Sequence, residues 1–230
     1  MTGSFGSLAA ITSATFKLSP LPKASKTLVV TMDHDVRVGH VVQQMMASQL
    51  EPLAFELDVR STQSSAFLLR FASLPAVVDA QVGQARALLG SLASAIDVID
   101  GDTELTLWRD HNARVWSASG AIVRASWLPA AITPAIAELK TMGAEIEVVG
   151  RAAVGAGLLR IDGDTGTQAR VITRLRQSAT FGNTVVLRGS DALKAAVDVW
   201  GSMGDREPLL ASLKRALDPQ NTLNAGRGPL

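Results

Sequence analysis

Four arginines lie inside apolar or alternating segments: Arg70 in AFLLRFA, Arg124 in GAIVRASWL, Arg160 in GAGLLRID and Arg188 in TVVLRG. Successive strand side chains face opposite ways, so each guanidinium meets either solvent or a polar pocket on a sheet face. A guanidinium grips a carboxylate through two parallel hydrogen bonds, which makes these residues candidate anion clamps. Near the end of the chain, LDPQNTLNAGR sets Asn224, Gly226 and Arg227 in one short turn after an Asp-Pro helix stop. Asn224 can donate and accept at a ring edge or carbonyl, and Arg227 can hold an anion. The bland alternative is that both only close the turn.

Three histidines could move protons near neutral pH. His34 sits in a turn between Asp33 and Asp35, His40 on a helix and His111 in the polar WRDHNAR, so each reads as structural or exposed. The catalytic residue is left unassigned. The chain has no cysteine, which removes thiolate nucleophiles, disulfides and Cys-ligated metals. No His, Asp and Glu grouping has metal-ligand spacing, so no metal is expected. Trp108, Trp116, Trp127 and Trp200 read as core anchors.

These side chains must be positioned by elements that hydrophobic periodicity makes legible. In the first half, strand TLVVTM, helix VRVGHVVQQMMASQ, strand LAFELD, strand AFLLRFA, helix AVVDAQVGQARALLGSL and strand SAIDVID follow in order. In the second half, GAIVRASWL, TPAIAELKTM, EIEVVG, GAGLLRID, TQARVITRLRQSA and TVVLRG repeat the βαββαβ order. The helix at TPAIAELKTM is expected to take Thr133 as N-cap and Pro134 as its first residue. The fold class is therefore α+β, two ferredoxin-like βαββαβ repeats forming antiparallel sheet covered by helices. The repeats fall at about 26–100 and 119–190, within a domain spanning 23–203. Their edges can pair into one large sheet with an open face, or the two sheets can pack face to face. A short helix carrying Trp108 is expected between them, and residues 204–230 form a last helix and a tail.

A net charge of +1 gives no basic excess to recruit nucleic acid. The longest apolar runs, such as AIDVI and LPAAI, fall far short of the roughly 20 residues a membrane span needs. The start lacks the basic region of a signal peptide, so a cytoplasmic location is expected, with attachment to a membrane only through partner subunits.

The first 22 residues do not fit the repeat: MTGSFGSLAAITSATFKLSPLP reads as a Gly-rich turn, one strand and a Pro-spaced exit. GSFGSLAAITSATFKLSPLP resembles the closing segment of the FAD-binding domain in flavoproteins of the vanillyl-alcohol oxidase type. LKRALDPQNTLNAGR resembles that family's ending, a basic helix running into an Asp-Pro, Leu-Asn, Gly-Arg tail. IVRASWLPAAI, VVLRG and VDVWG are similar to the FAD-binding subunit of bacterial glycolate oxidase. Ala9 stands where many relatives have Gly, and Ala225 where the family tail has Pro.

The resemblance implies the C-terminal part of an FAD-dependent oxidoreductase that oxidises a small 2-hydroxy acid by hydride transfer to FAD. The domain whose Gly-rich loop would hold the FAD pyrophosphate is missing from the sequence, so the fragment alone is expected to be inactive. Residues 1–22 would be the remnant of that domain, and the tail would return to it. Gly3, Ser4, Phe5, Gly6, Ile11, Asn224 and Arg227 match segments that pass close to the flavin. Arg124, followed by Arg160, is the implied anchor for the substrate carboxylate. Partners would be the missing domain and other oxidase subunits. The alternative is a non-catalytic ferredoxin-like module that binds a small molecule or assembles a complex, since such units host many functions.

Overall fold

The computed structural model describes residues 2–60 and 65–226, with only the backbone described at Val36. The chain divides into two compact units, Leu21–Val199 and Met1–Pro20 with Trp200–Leu230.

In the larger unit, β1 (Ala24–Met32), β2 (Ala54–Val59), β3 (Ser65–Ser73) and β4 (Ala95–Asp100) come from the first half of the sequence. From the second half come β5 (Ala121–Trp127), β6 (Ile146–Arg151), β7 (Ala156–Ile161) and β8 (Phe181–Arg188). All join one eight-stranded sheet in the order β4-β1-β3-β2-β6-β7-β5-β8. The two halves have the same strand order when each is read inward from its own edge. They meet where β2 runs antiparallel to β6, from Glu56 opposite Arg151 to Val59 opposite Val148. Edge pairing, not face-to-face stacking, therefore joins them.

Period-two alternation decides which face is dry. Val59, Val148, Leu159, Val123 and Val186 are successive cross-strand partners and all are buried. Over this face lie α1 (Val38–Ala47) and α2 (Pro75–Leu89) from the first half. From the second half come α4 (Ile132–Lys140), α5 (Thr165–Gln177) and the short α6 (Asp191–Ala196); residues of all five join one apolar core. Helix α1 alone buries Val38, Val41, Val42 and Met45 at helical spacing, each contributing about 1.5–3 kcal/mol. Gly150 and Gly157 stand opposite each other, and a Cβ on either would come within 3.2 Å of the Trp127 ring. Trp127, 6% exposed, uses that room to reach the core, in keeping with an anchoring role.

Thr133 lies inside α4 instead of capping it. A single 3-10 turn at Pro129–Ala131 precedes the helix, and the Thr133 hydroxyl accepts from the Gly39 amide at 3.0 Å. The tie between two helices outweighs the local capping preference.

The opposite sheet face is less open than the alternation implies. Helix α3 (Gly101–Ser117) is 17 residues long, not a short connection, and packs across β1, β4, β6 and β7. Its buried residues are Glu104, His111 and Val115, so it meets the sheet largely through polar groups.

In the smaller unit, residues 9–20 carry no helix and no ladder, where a strand is expected. A strand needs a partner edge, and alternation alone supplies none. Phe16 and Leu18 are 80% and 88% exposed there. Helix α7 (Glu207–Leu217) lies within the stretch expected to hold the last helix and leaves Leu209, Leu213 and Leu217, spaced at i, i+4 and i+8, in solvent.

Candidate functional site

The two terminal segments that resemble flavoprotein motifs are bound to each other. Gly3, Phe5 and Gly6 all have positive φ (89°, 53° and 70°), which winds the Gly-rich segment into a tight turn. The Ser7 amide and hydroxyl both donate to the Ser4 carbonyl, at 3.0 and 2.6 Å. Asn224, itself at φ 46°, donates from Nδ2 to the Phe5 carbonyl at 2.5 Å. A Cβ at Gly6 would come within 2.8 Å of that same Nδ2, so a side chain there would collide with the contact. The Phe5 ring stands edge-on to Trp200 with centroids 4.7 Å apart, so Trp200 partners this turn instead of anchoring the sheet core.

Beneath the turn, Lys214 Nζ donates to Asp218 Oδ2 at 2.6 Å, to the Ser7 carbonyl at 2.7 Å and to the Leu223 carbonyl at 2.9 Å. Lys214 thus ties helix, tail and N-terminal turn together, a role its place in the last turn of α7 does not reveal. Asp218 also accepts from the Thr222 amide and hydroxyl and the Leu223 amide, within 3.0 Å. The Lys214 ammonium, with the Leu223 and Thr222 amides, holds the Asp218 carboxyl far below the usual carboxylate range. Ser4 lies in the same turn, Ile11 is 65% exposed just beyond it, and Arg227 lies outside the described residues.

The strand arginines fall on the sheet face opposite the apolar core, and they differ in what they have left to offer. Arg70 lies 3.1 Å from Glu104, whose carboxylate also accepts from Ser25 and Thr27, and it stands over the Trp108 ring at 5.9 Å. Arg188 donates to the carbonyls of Trp116, Ala118 and Gly120. Arg160, its side chain 8% exposed, pairs with Glu147 at 3.2 Å and with Asp162. Burial disfavours its charge, but the bonds to Glu147 and Asp162 outweigh this and raise its pKa. Arg124 is exposed and makes no hydrogen bond or ion pair within the described residues. Of the two proposed anchors, only Arg124 keeps every donor free.

The polar layer under α3 is not legible as a site in the sequence. Asp58 pairs with Arg114 and lies 3.5 Å from Arg60 and 3.5 Å from His111 Nδ1. Burial works to raise the Asp58 carboxyl, but the contacts from His111 and Arg114 prevail and hold it below its ordinary value. His111 is 4% exposed and neither ring nitrogen has a hydrogen-bond partner among the described residues, whereas His34 and His40 are exposed. The polar setting of His111 in the sequence points to solvent; the polar sheet face beneath α3 buries it instead.

No family model matches the sequence, and a search of curated proteins finds no match either. Solved structures do match. The alkyldihydroxyacetonephosphate synthase aligns with 94% of this chain and 47% of its own at 12% identity and TM-score 0.51. FgChi7B aligns with 87% of this chain and 54% of its own at 13% identity and TM-score 0.50. An Acremonium strictum glucooligosaccharide oxidase reaches TM-score 0.45 at 13% identity, over 90% of this chain and 55% of its own, too low to carry an argument. The chain thus spans about half the length of the solved structures it matches. At such identity the likeness concerns fold alone: this chain has a fold similar to the matched parts of the alkyldihydroxyacetonephosphate synthase and FgChi7B.

Proposed function

We propose that the chain is the C-terminal part of an FAD-dependent oxidoreductase resembling the glycolate oxidase FAD-binding subunit, acting on a small 2-hydroxy acid. The observation that carries this reading is the smaller unit. There the two flavoprotein-like motifs hold each other through Asn224 and Lys214. The same unit exposes Phe16, Leu18, Leu209 and Leu213, between 41% and 88%. An apolar strand-like segment and an apolar helix stripe left in water are what a contact surface for a further domain looks like. The halves of the larger unit read as ferredoxin-like repeats that supply the substrate wall.

The residues fit an edge contact to FAD and not a full cradle. Asn224 spends Nδ2 on Phe5 and keeps its Oδ1 as an acceptor, and Gly3 is open, with nothing within 4 Å of the place a Cβ would take. When bound, FAD supplies the hydride acceptor for the carbinol carbon. Arg124 would anchor the substrate carboxylate through its free guanidinium. Arg160 lies on β7, next to Arg124's strand, and its pairs with Glu147 and Asp162 hold that region in place.

Co-production with an FAD-binding domain of this type tests the reading. A yellow complex is expected, and Phe16→Asp with Leu18→Asp should abolish it while leaving the circular dichroism spectrum unchanged. A colourless chain that stays apart from every such domain would overturn it.

A further inference from the structure

Helix α3 covers only part of the sheet face on which the strand arginines stand, and the guanidinium groups at that face fall into two kinds. Arg70 pairs with Glu104, Arg114 with Asp58, and Arg160 with Glu147 and Asp162, while Arg188 donates to three backbone carbonyls. Arg124 on β5 and Arg151 on β6 are not used up in this way. Arg124 is exposed and has no partner among the described residues. Arg151, its side chain 74% exposed, has Glu56 at 4.0 Å from Nε, which leaves its two terminal nitrogens free to donate. Glu56 lies on β2, on the side of Arg151 away from Arg124, so it does not stand between the two cations.

Strand register sets how these two cations stand. Arg124 lies opposite Leu158 on β7, Leu158 lies opposite Val149 on β6, and Arg151 comes two residues after Val149, opposite Ala156. Residues two apart on a strand share a face, so Arg151 rises on the same side as Arg124. Strands β5 and β6 both run antiparallel to β7 and are therefore parallel to each other, so side chains on them lean the same way. Two strand spacings of ~4.8 Å across the sheet and two residues of ~3.4 Å along it put the two Cα atoms roughly 12 Å apart. A hydrogen bond of about 3 Å at each end leaves about 6 Å for a molecule that bridges the guanidinium groups, the reach of a four- or five-carbon diacid. The floor of that span is β7, which presents half-buried Leu158 and Ala156 and no acidic group there.

We infer that this open face takes a 2-hydroxydicarboxylic acid of four or five carbons, with Arg151 as the residue that selects it. The inference rests on the proposed function for the carboxylate beside the hydroxyl, which Arg124 holds. Arg151 takes the far carboxylate, and the carbons between lie over Leu158 and Ala156. A planar guanidinium with free terminal donors suits a carboxylate through two parallel hydrogen bonds. A 2-hydroxy acid with one carboxylate leaves Arg151 in water and gains nothing from it, so the second contact is what separates the two kinds of substrate.

Calorimetric titration of the intact chain with 2-hydroxyglutarate and with 2-hydroxybutyrate, which lacks the far carboxylate, tests the inference without flavin. Saturable binding of 2-hydroxyglutarate is expected, about tenfold or more tighter than that of 2-hydroxybutyrate. Arg151→Gln should remove this preference and bring 2-hydroxyglutarate to the level of 2-hydroxybutyrate, whereas Arg124→Gln should weaken both, with unchanged circular dichroism in each case. Equal affinity for the two acids, a preference that survives Arg151→Gln, or no binding by a folded chain would overturn the inference. The flavoprotein reading fails separately: a chain that prefers the diacid through Arg151 but forms no yellow complex keeps the two-cation contact and loses the flavin. A yellow complex whose chain shows no such preference sinks the inference alone.

Discussion

Gly155, in the β6–β7 turn, offers a sharp test of how that turn packs on the end of β5. Its φ is +70°, and a Cβ built there would lie 2.0 Å from the Trp127 carbonyl oxygen, a backbone atom with no rotamer to escape into. Its own carbonyl accepts from the Trp127 amide at 2.7 Å, so the turn and the end of β5 are clamped together. Gly155→Ala should therefore act three times over. The left-handed conformation costs a non-glycine residue about 1–2 kcal/mol. Forcing the turn away from Trp127 adds overpacking strain of about 1–3 kcal/mol. Losing the Trp127–Gly155 hydrogen bond adds about 0.5–1.5 kcal/mol. The control is Gly143, at φ +68° with nothing within 4 Å of a built Cβ. Gly143→Ala should cost only the first of these, or about 2–4 °C in Tm per kcal/mol for a chain of this size. Urea unfolding followed by circular dichroism and tryptophan fluorescence compares the two. Equal destabilisation would refute the contact at Trp127 and leave only the backbone effect.

Arg124→Gln should leave unfolding unchanged, because its guanidinium has no partner among the described residues, and under the proposed function it should lower kcat/KM of the complex with an FAD-binding domain roughly ten- to hundredfold. Arg160→Gln should instead cost about 2–3 kcal/mol of stability in urea unfolding, since it leaves Glu147 and Asp162 short of a cation in a nearly buried setting. The Asp58 carboxyl has a folded pKa below its unfolded one, so the unfolded state binds more protons as pH falls. Its contribution is present above about pH 4 and is lost as the pH falls toward its lower folded value. Thermal unfolding across that window should show a steep acid limb for the native chain. In Asp58→Asn the limb should be flatter, from a lower starting Tm.

The larger unit is legible in the sequence where burial is apolar. Val38, Val41, Val42 and Met45 on α1, or Leu57 and Val59 on β2, declare their faces by period alone, because each element has one solvent side and one dry side. Helix α3 defeats the same rule. Its buried positions are Glu104, His111 and Val115, and the surface it covers presents Thr27, Asp58, Arg70 and Arg160. A helix laid on a polar sheet face needs no apolar stripe, so periodicity sees only solvent-like residues and shortens it. Thr133 and Lys214 show the same limit: each has a plausible local role, and each is taken instead by a partner far away in sequence, Gly39 and Ser7.

The terminal segments show what sequence pattern can and cannot decide. Thr12, Ala14, Phe16 and Leu18 alternate with Ser13, Thr15 and Lys17 as a half-buried strand would, yet among the described residues no ladder forms there. Alternation records the surface a segment is suited to meet, and the partner edge need not belong to the same folding unit. Helix α7 carries the same message in another period, with Leu209, Leu213 and Leu217 on one exposed stripe. Between them, Lys214 and Asn224 fix the tail to the Gly-rich turn from the inside. Under the proposed function, this unit, with Lys214 and Asn224 bonded internally and Phe16, Leu18 and the α7 leucines in water, is the part that meets a further domain. Its internal bonds already hold the shape, so docking would require little further ordering and could draw its free energy from burying those leucines and Phe16.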